Sequence, residues 1–287
     1  MTNLLLSGIA DEAGRSMDRQ IASHQALGWR AIELRLVDGK AICHELDDAA
    51  FERSAAQLEE SGLRVTAFAS AIGNWSRPID GDFSVDTAEL RRAAPRMRRL
   101  GVASIRTMSW LPGNLSQADW RKECLRRYRE LARIAEGEGV RLLHENCTGW
   151  AGQSGAHMLE LLEETGSPAL GLLFDIGNTI SHGYEPWPFY QAIRSHIAHV
   201  HIKDCAWADD RGRSQRYCYP GEGDAQVRRF LTDLLASGYT GVLAIEPHVA
   251  AIVHEGGAAD EEIMFASYLR YARQFEALLA ECQTNQP

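Results

Sequence analysis

The chain alternates short apolar runs with longer amphipathic segments from end to end, and this repeat constrains the fold more than any other feature. Short runs rich in aliphatic and β-branched residues predict buried strands, and the segments between them carry the apolar spacing of helices. One such helical stripe consists of Trp120, Cys124, Tyr128, Leu131 and Ala135. We predict strands at residues 3–9, 30–36, 63–68, 102–108, 140–145, 169–175, 197–202 and 239–246.

Consecutive units of strand and helix in this number predict a (β/α)₈ barrel, the TIM barrel fold of the α/β class. A doubly wound open sheet shares the alternating pattern, but it would normally carry a GxGxxG turn after its first strand. The residues at that position are ADEAGRS. No linker or shift in composition divides the 287 residues. We therefore expect residues 1–287 to form a single barrel domain.

Charge and composition restrict the partners of this chain. A formal net charge of −9 disfavours non-specific attraction to nucleic acid or anionic lipid. No apolar stretch approaches the roughly 18 residues of a membrane span, and the early run LLLSGIA lacks the positive flank of a signal peptide. The six cysteines include no CxxC pair, which argues against a disulfide framework or a thiolate zinc site. We expect a cytoplasmic protein with no nucleic-acid or membrane partner.

A polar residue stands at the end of each of four successive predicted strands. They are Glu145 after VRLLH, Asp175 after LGLLF, His201 after IAHV and Glu246 after GVLAI. In a TIM barrel the carboxyl ends of the strands meet at the face that carries active sites. Three carboxylates that converge there repel one another unless a cation compensates. The set of oxygen ligands with one imidazole predicts one divalent metal ion, Mn²⁺ or Mg²⁺ first, with Co²⁺ or Zn²⁺ as alternatives.

Six short segments resemble a known family: GIADE at the start of the chain, and then HENCTG, FDIGN, HVHIKD, PGEGD and AIEPH. They resemble the sugar phosphate isomerase/epimerase family of xylose isomerase-like TIM barrels, which also includes endonuclease IV, ketose 3-epimerases, hydroxypyruvate isomerase and inosose dehydratase. The likeness extends from about residue 6 to about residue 248, and HIKD followed by PGEGD is its most specific part. The resemblance implies that one divalent metal is held by Glu145, Asp175, His201 and Glu246.

The resemblance also implies a reaction. Glu145 and Glu246 would flank the substrate and move its protons, while the metal would bind a carbonyl oxygen and the neighbouring hydroxyl oxygen and stabilise an enediolate. Return of the proton from the opposite face epimerises the carbon, and its return to the adjacent carbon moves the carbonyl. The predicted function is isomerisation or epimerisation of a small ketose, hydroxy-keto acid or sugar phosphate. The alternative is dehydration of an inosose or a dehydroshikimate-like acid by the same scaffold.

Five further residues are candidate substrate contacts: Arg106, Trp110, Asn178, His182 and Lys203. In several epimerases of the family a histidine follows the metal-binding aspartate by three positions, and here Asn178 occupies that position. An internal ion pair is the alternative for Lys203 and Arg106, as it is for Glu33 and Arg35.

Four tryptophans follow predicted strands on the side where a substrate would enter. Aromatic walls exclude water and pack against the apolar faces of sugars, so as a group these residues favour a lidded small-molecule pocket. Simple loop packing is the alternative for each one. The four are Trp75, Trp110, Trp150 and Trp207.

Two other classes of function are alternatives. An endonuclease of the same superfamily would need about three metals, histidine ligands on early strands and a basic DNA-facing rim. The early strand ends AIELRL and VTAFAS contain no histidine, and the chain is acidic. A non-catalytic binding protein that retains the barrel is the second alternative. If the protein is an enzyme, we expect its substrate to be a small carbohydrate or keto acid. We also expect that the chain could form a homo-oligomer.

Overall fold

In the part of the chain that the structure describes, eight parallel strands alternate with helices and form one sheet that curves into a nearly closed barrel. The structure is a computed structural model and describes residues 4–208, 215–250, 252–253, 256–257 and 259–284. The predicted (β/α)₈ barrel is confirmed. The strands are β1 (Leu5–Gly8), β2 (Ala31–Leu34), β3 (Arg64–Ala69), β4 (Ser104–Ser109), β5 (Arg141–Gly149), β6 (Leu170–Asp175), β7 (Ile197–Ile202) and β8 (Val242–Ile245).

The order of the strands around the barrel follows the order along the chain. Each strand from β2 to β8 pairs in parallel with the next one, and β8 pairs with β1. Between β1 and β2 the pairing is reduced to a single bridge that joins Ile9 and Glu33. This position is the seam of the barrel, and its closure depends on side chains as well as on backbone hydrogen bonds.

The helices surround the barrel and begin and end at residues that suit their termini. Ser16 and Ser154 accept a hydrogen bond from a backbone N–H in the first turn of the helix that each precedes, which satisfies an unpaired donor. Gly28 and Gly139 end their helices in the left-handed conformation that favours glycine. The helices are α1 (Met17–Leu27), α2 (Asp48–Ser61), α3 (Ser84–Leu100), α4 (Gln117–Glu138), α5 (Gly155–Thr165), α6 (Asn178–Ser181), α7 (Pro186–Ile193), α8 (Val227–Ala236) and α9 (Glu261–Thr284).

The predicted strands differ from the observed ones mainly at their ends. Residue 3, where the first predicted strand begins, lies outside the described residues. The strand predicted at 140–145 continues to Gly149, and the one predicted at 239–246 begins only at Val242. Two short antiparallel hairpins follow β2 and β7 on the carboxyl-terminal face. They pair Leu36–Val37 with Lys40–Ala41, and Asp204–Trp207 with Gln215–Cys218.

The apolar core lies between the strands and the helices. Phe174 on β6 packs against Phe189 on α7 and Phe230 on α8, with ring centroids 6.4 and 5.4 Å away. Phe174 therefore points outward. Because successive side chains of a strand point to opposite faces, its neighbour Asp175 points into the barrel. This arrangement delivers polar strand ends to the barrel mouth while the outer face of the sheet stays apolar. Within the described ranges, none of the helices combines the length and the apolar content that crossing a bilayer requires.

The buried His24 on α1 predicts a dependence of stability on pH. Burial lowers the pKa of His24 to about 4, although a hydrogen bond with the Gln20 carbonyl partly opposes this effect. Below about pH 6.5 the His24 side chain therefore binds a proton in the unfolded chain but stays neutral in the folded protein. The free energy of unfolding consequently falls as the pH is lowered toward 4. From this group alone we expect the free energy of unfolding to fall by about 2 kcal/mol between pH 7.5 and pH 5.

His24→Gln should remove this part of the pH dependence. The measurement is urea unfolding of both proteins at pH 7.5 and pH 5, and His196→Gln, at an exposed position, is the control. A His24→Gln protein that loses as much stability at pH 5 as the wild type would contradict the assignment.

Candidate metal centre

The four predicted metal ligands meet at the mouth of the barrel. One ligand atom from each of Glu145, Asp175, His201 and Glu246 lies within 4.8 Å of all the others, and all four side chains are buried. The sheet register accounts for part of this convergence, because Asp175 on β6 is paired with His201 on β7. Glu145 lies within β5, and Glu246 directly follows β8.

The atoms that these side chains direct at one another fit a cation. Oε2 of Glu145, Oδ2 of Asp175, Nδ1 of His201 and Oε2 of Glu246 are buried and have no hydrogen bond of normal geometry. Buried polar atoms in native proteins are almost always paired. Apart from ion pairs with Lys203 and Arg106, these four have no hydrogen-bond partner, and they lie close enough together to share a cation. Three carboxylate oxygens and one imidazole nitrogen are a donor set that binds a divalent metal ion.

Lys203 supplies positive charge to the same point. Its Nζ lies 2.7 Å from Oδ2 of Asp175 and 2.6 Å from Oε2 of Glu246. Burial alone would lower the pKa of Lys203, but these two carboxylates raise it well above its usual value. Gly177 leaves room for the lysine stem, since a Cβ there would lie 2.6 Å from Cγ of Lys203. Lys203 is therefore an internal counter-ion of the carboxylate cluster as well as a lining residue of the cavity above it.

The repulsion expected among the carboxylates is visible at Asp175. Burial raises its pKa to about 7, Glu246 and Glu145 add to the rise, and Lys203 opposes it. Hydrogen bonds hold Asp175 in place despite this cost. The Asn146 side chain donates to its carbonyl oxygen (2.9 Å) and accepts from its backbone N–H (2.6 Å), while the Asn178 backbone N–H donates to Oδ1 (3.0 Å).

A network of charges closes the seam of the barrel and supports Glu246. Arg35, which follows β2, donates to both oxygens of Asp11 (2.8 and 2.9 Å), to Glu12 (3.2 Å) and to Oε1 of Glu246 (3.1 Å). Glu12 also accepts from the backbone N–H of His248 (2.6 Å) and lies 2.7 Å from its Nδ1. Glu12, Glu246 and His248 lie close enough together to share a cation, but Arg35 already gives positive charge to both carboxylates. We define the seam network as Asp11, Glu12, Arg35, Glu246 and His248.

Sequence reasoning missed the roles of Asn146, Asp11 and Glu12. The sequence did contain a signal for Asp11 and Glu12. Two adjacent carboxylates directly after an apolar strand would be buried at a large cost in free energy unless a positively charged partner lies nearby. Glu33 and Arg35 are internal ion-pair residues, in agreement with the alternative stated for them.

A cavity of about 670 Å³ opens above the cluster on the carboxyl-terminal face. Four of the five further candidate substrate contacts line it: Arg106, Asn178, His182 and Lys203. Arg106 reaches toward both glutamates, with Nε 3.5 Å from Oε2 of Glu145 and Nη1 3.7 Å from Oε1 of Glu246. The side chain of Asn178 donates to Oε1 of Glu145 (3.3 Å).

The expectation for Trp110 is wrong. Its side chain is fully buried, donates from Nε1 to Asp86 (2.7 Å) and packs edge-on against Tyr128 on α4, so it does not reach the cavity. Its φ of 53° turns the chain directly after β4 and places the indole toward the helices. Of the other tryptophans expected around the pocket, Trp75 lines the cavity, Trp150 is buried and stacked on His157, and Trp207 is not among the lining residues.

Residues 21–269 match the model of the xylose isomerase-like TIM barrel family, and the chain belongs to this family. Among its relatives, an inosose dehydratase of Bacillus thuringiensis is 25% identical over 128 residues, 40% of this chain and 43% of the dehydratase. The 2-epi-5-epi-valiolone 7-phosphate 2-epimerase of Actinoplanes sp. is 30% identical over 207 residues, 70% of this chain and 68% of the epimerase. Several relatives, the dehydratase included, align over less than half of their own length.

Solved structures share the whole barrel. A D-tagatose 3-epimerase-like protein superposes with a TM-score of 0.75 at 18% identity, over 99% of both chains. A xylose isomerase-like TIM barrel protein of Mycobacterium smegmatis, solved in complex with magnesium, gives a TM-score of 0.68 at 16% identity, over 97% of this chain and 98% of the other. At these identities the likeness shows the fold. The named relatives are enzymes, and their epimerase and dehydratase activities agree with the general kind of function expected from the sequence.

Replacement of Lys203 by methionine should destabilise the metal-free protein. Two buried carboxylates, those of Asp175 and Glu246, would lose their ammonium partner. Breaking a buried ion pair of this kind costs about 3–5 kcal/mol. Mn²⁺ should stabilise the variant more than the wild type, because the ion no longer competes with Nζ for two carboxylate oxygens.

The measurement is urea unfolding of chelator-treated protein with and without Mn²⁺. Lys122→Met, at an exposed position on α4, is the matched control. Equal stability of Lys203→Met and wild type without metal would show that Lys203 does not act as the counter-ion.

Proposed function

We propose that this chain is a divalent-metal-dependent isomerase or epimerase of a small ketose, hydroxy-keto acid or sugar phosphate. The observation that carries the proposal is the set of four buried ligand atoms that converge without hydrogen bonds at the base of a large cavity, with Glu145 and Glu246 approaching from strands separated by β6 and β7. A divalent cation held there by Glu145, Asp175, His201 and Glu246 would orient the substrate oxygens and act as a Lewis acid. Mn²⁺ or Mg²⁺ is the expected ion.

Glu145 and Glu246 are suited to accept protons because both are kept ionised. Burial alone would raise the pKa of Glu145, but the nearby Arg106 guanidinium holds it below its usual value. The pKa of Glu246 is held well below its usual range, since Lys203 and His248 outweigh the effect of burial. One carboxylate can remove the proton of a carbon next to a carbonyl and, as the carboxylic acid so formed, return it to the adjacent carbon. For epimerisation, the second carboxylate would take up a proton from solvent and deliver it to the opposite face. This pair therefore accounts for both epimerisation and isomerisation.

The cavity walls supply groups that suit a polyhydroxylated substrate. Burial and the nearby Lys203 lower the pKa of His182 to about 4, so the ring is neutral at pH 7 and offers one donor and one acceptor. Asn178 and Arg106 line the same cavity with amide and guanidinium groups, and Trp75 at the rim offers an apolar face. We propose that these residues contact the hydroxyl groups and carbon skeleton of the substrate.

A dehydratase is the second candidate, and the similarity to an inosose dehydratase favours it. The same glutamate would remove the proton next to the carbonyl, and the glutamic acid so formed would protonate the hydroxyl on the following carbon, which leaves as water. The two reactions differ in their products. Dehydration gives an unsaturated ketone that absorbs in the ultraviolet, whereas isomerisation and epimerisation conserve mass.

The proposal is tested with Mn²⁺-loaded protein in D₂O against a panel of ketoses, inososes and their phosphates. Mass spectrometry and NMR should detect one solvent deuterium at the carbon next to the carbonyl of a substrate, together with an epimer, an isomer or a dehydrated product. A protein that binds Mn²⁺ but causes no exchange in any member of the panel would favour the non-catalytic binding function instead.

Glu145→Gln and Glu246→Gln should each abolish turnover while the barrel remains folded, because an amide cannot accept the proton. We expect a fall in kcat of at least about 10²–10⁴-fold, the usual contribution of general acid–base catalysis. Glu160→Gln is the matched control, since this glutamate pairs with Arg121 in the helical layer. Rates near the wild-type value in either site variant, with circular dichroism unchanged, would rule out the proton-transfer roles.

A further inference from the structure

Glu33 lies inside the barrel beneath the metal centre, and its two carboxylate oxygens face two imidazole rings. Oε1 is 3.0 Å from Nε2 of His201 and Oε2 is 2.9 Å from Nε2 of His199. All three side chains are almost completely buried. The strand pairing explains how a glutamate reaches this position. The register between β2 and β3 shifts between Ile32 and Leu34, and irregularities of this kind re-aim the side chain at the shift.

The hydrogen bonds of Glu33 determine which imidazole nitrogens carry hydrogen. An ionised carboxylate only accepts hydrogen bonds, so the nitrogen that faces it must donate. Both Nε2 atoms therefore carry a proton. In a neutral imidazole the other nitrogen then holds a lone pair, and in His201 that nitrogen is Nδ1.

Nδ1 of His201 is the atom that faces the carboxylate cluster. It lies 3.4 Å from Oε2 of Glu246, 3.5 Å from Oε1 of Glu145 and 4.0 Å from Oδ2 of Asp175. The opposite tautomer would place a hydrogen on Nδ1, which would then donate to these carboxylates and have no lone pair for a cation. A cation bound at this point therefore requires His201 in the form that carries its hydrogen on Nε2.

We propose that Glu33 is a positioning residue of the metal centre, which by accepting the Nε2 hydrogen of His201 holds the ring with Nδ1 directed at Glu145, Asp175 and Glu246. This inference rests on the proposed metal centre. Hydrogen bonds from carboxylates to the far nitrogen of a metal-binding histidine commonly contribute about 10–100-fold to metal affinity.

Glu33→Gln tests the proposal because a glutamine side chain has one acceptor and one donor group. It can accept from only one of the two Nε2–H groups, and its own N–H₂ then opposes the other ring. We expect the Mn²⁺ affinity of the variant, measured by calorimetry on chelator-treated protein, to fall about 10–100-fold. His199→Gln is the matched control, since its amide still offers a donor to Oε2 of Glu33 and leaves the contact with His201 in place. Its Mn²⁺ affinity should stay within about threefold of the wild type.

A second measurement observes the hydrogen bond of Glu33 directly. Long-range ¹H–¹⁵N NMR of ¹⁵N-histidine-labelled, Mg²⁺-loaded wild-type protein should show His201 protonated at Nε2, the atom that faces Glu33, and unprotonated at Nδ1. In Mg²⁺-loaded Glu33→Gln the Nε2–H resonance should move upfield, because an amide oxygen is a weaker acceptor than a carboxylate, an outcome that a purely structural role would not produce.

The outcomes separate this inference from the proposed function. Wild-type protein that binds Mn²⁺ while Glu33→Gln binds it equally well, or a Mg²⁺-loaded wild-type His201 that is unprotonated at Nε2, would overturn the role of Glu33 and leave the metal centre intact. Wild-type protein that fails to bind Mn²⁺ would overturn the metal centre itself.

Discussion

The convergence of three buried carboxylates at the barrel mouth is the constraint on which the rest of the structure depends. Each of Glu145, Asp175 and Glu246 has lost most of its hydration, and their mutual repulsion must be offset by positive charge. Lys203 contacts two of them, and Arg106 lies between the two glutamates. One oxygen of each carboxylate is held only by these ion pairs and makes no hydrogen bond of normal geometry. These contacts offset the repulsion only in part, as the raised pKa of Asp175 shows, and the remaining repulsion is the physical reason for the cation that we propose.

The same interactions serve the fold. The barrel is weakest where β1 meets β2, since a single backbone bridge joins them. The seam network crosses this position with short hydrogen bonds from Arg35 to Asp11 and Glu246. Closure of the barrel and the orientation of Glu246 are consequently parts of one arrangement. A substitution of Arg35 would therefore change both the free energy of unfolding and the orientation of Glu246, because the same side chain holds the seam and the glutamate.

The interior of this barrel is organised in polar layers. Glu33 and His199 lie beneath His201, and the carboxylates and Lys203 lie above them, next to the cavity. The apolar packing that stabilises the molecule is instead outside the sheet, as the contacts of Phe174 with α7 and α8 show. This division allows the mouth to carry an unfavourable density of charge, because helix packing supplies stability elsewhere.

The sequence alone determined the barrel and the positions of Glu145, Asp175, His201 and Glu246, because apolar periodicity identifies strands and parallel strands bring their carboxyl ends to one face. The family resemblance added the roles expected for these residues. Tertiary structure decided the direction of side chains beyond the strand ends and the partners of buried charges. Trp110 turns into the helical layer because the backbone after β4 has a positive φ, and Glu33 meets two histidines that are more than 160 residues away along the chain. Such directions and distant pairings depend on loop conformation and strand register, which local sequence patterns do not specify.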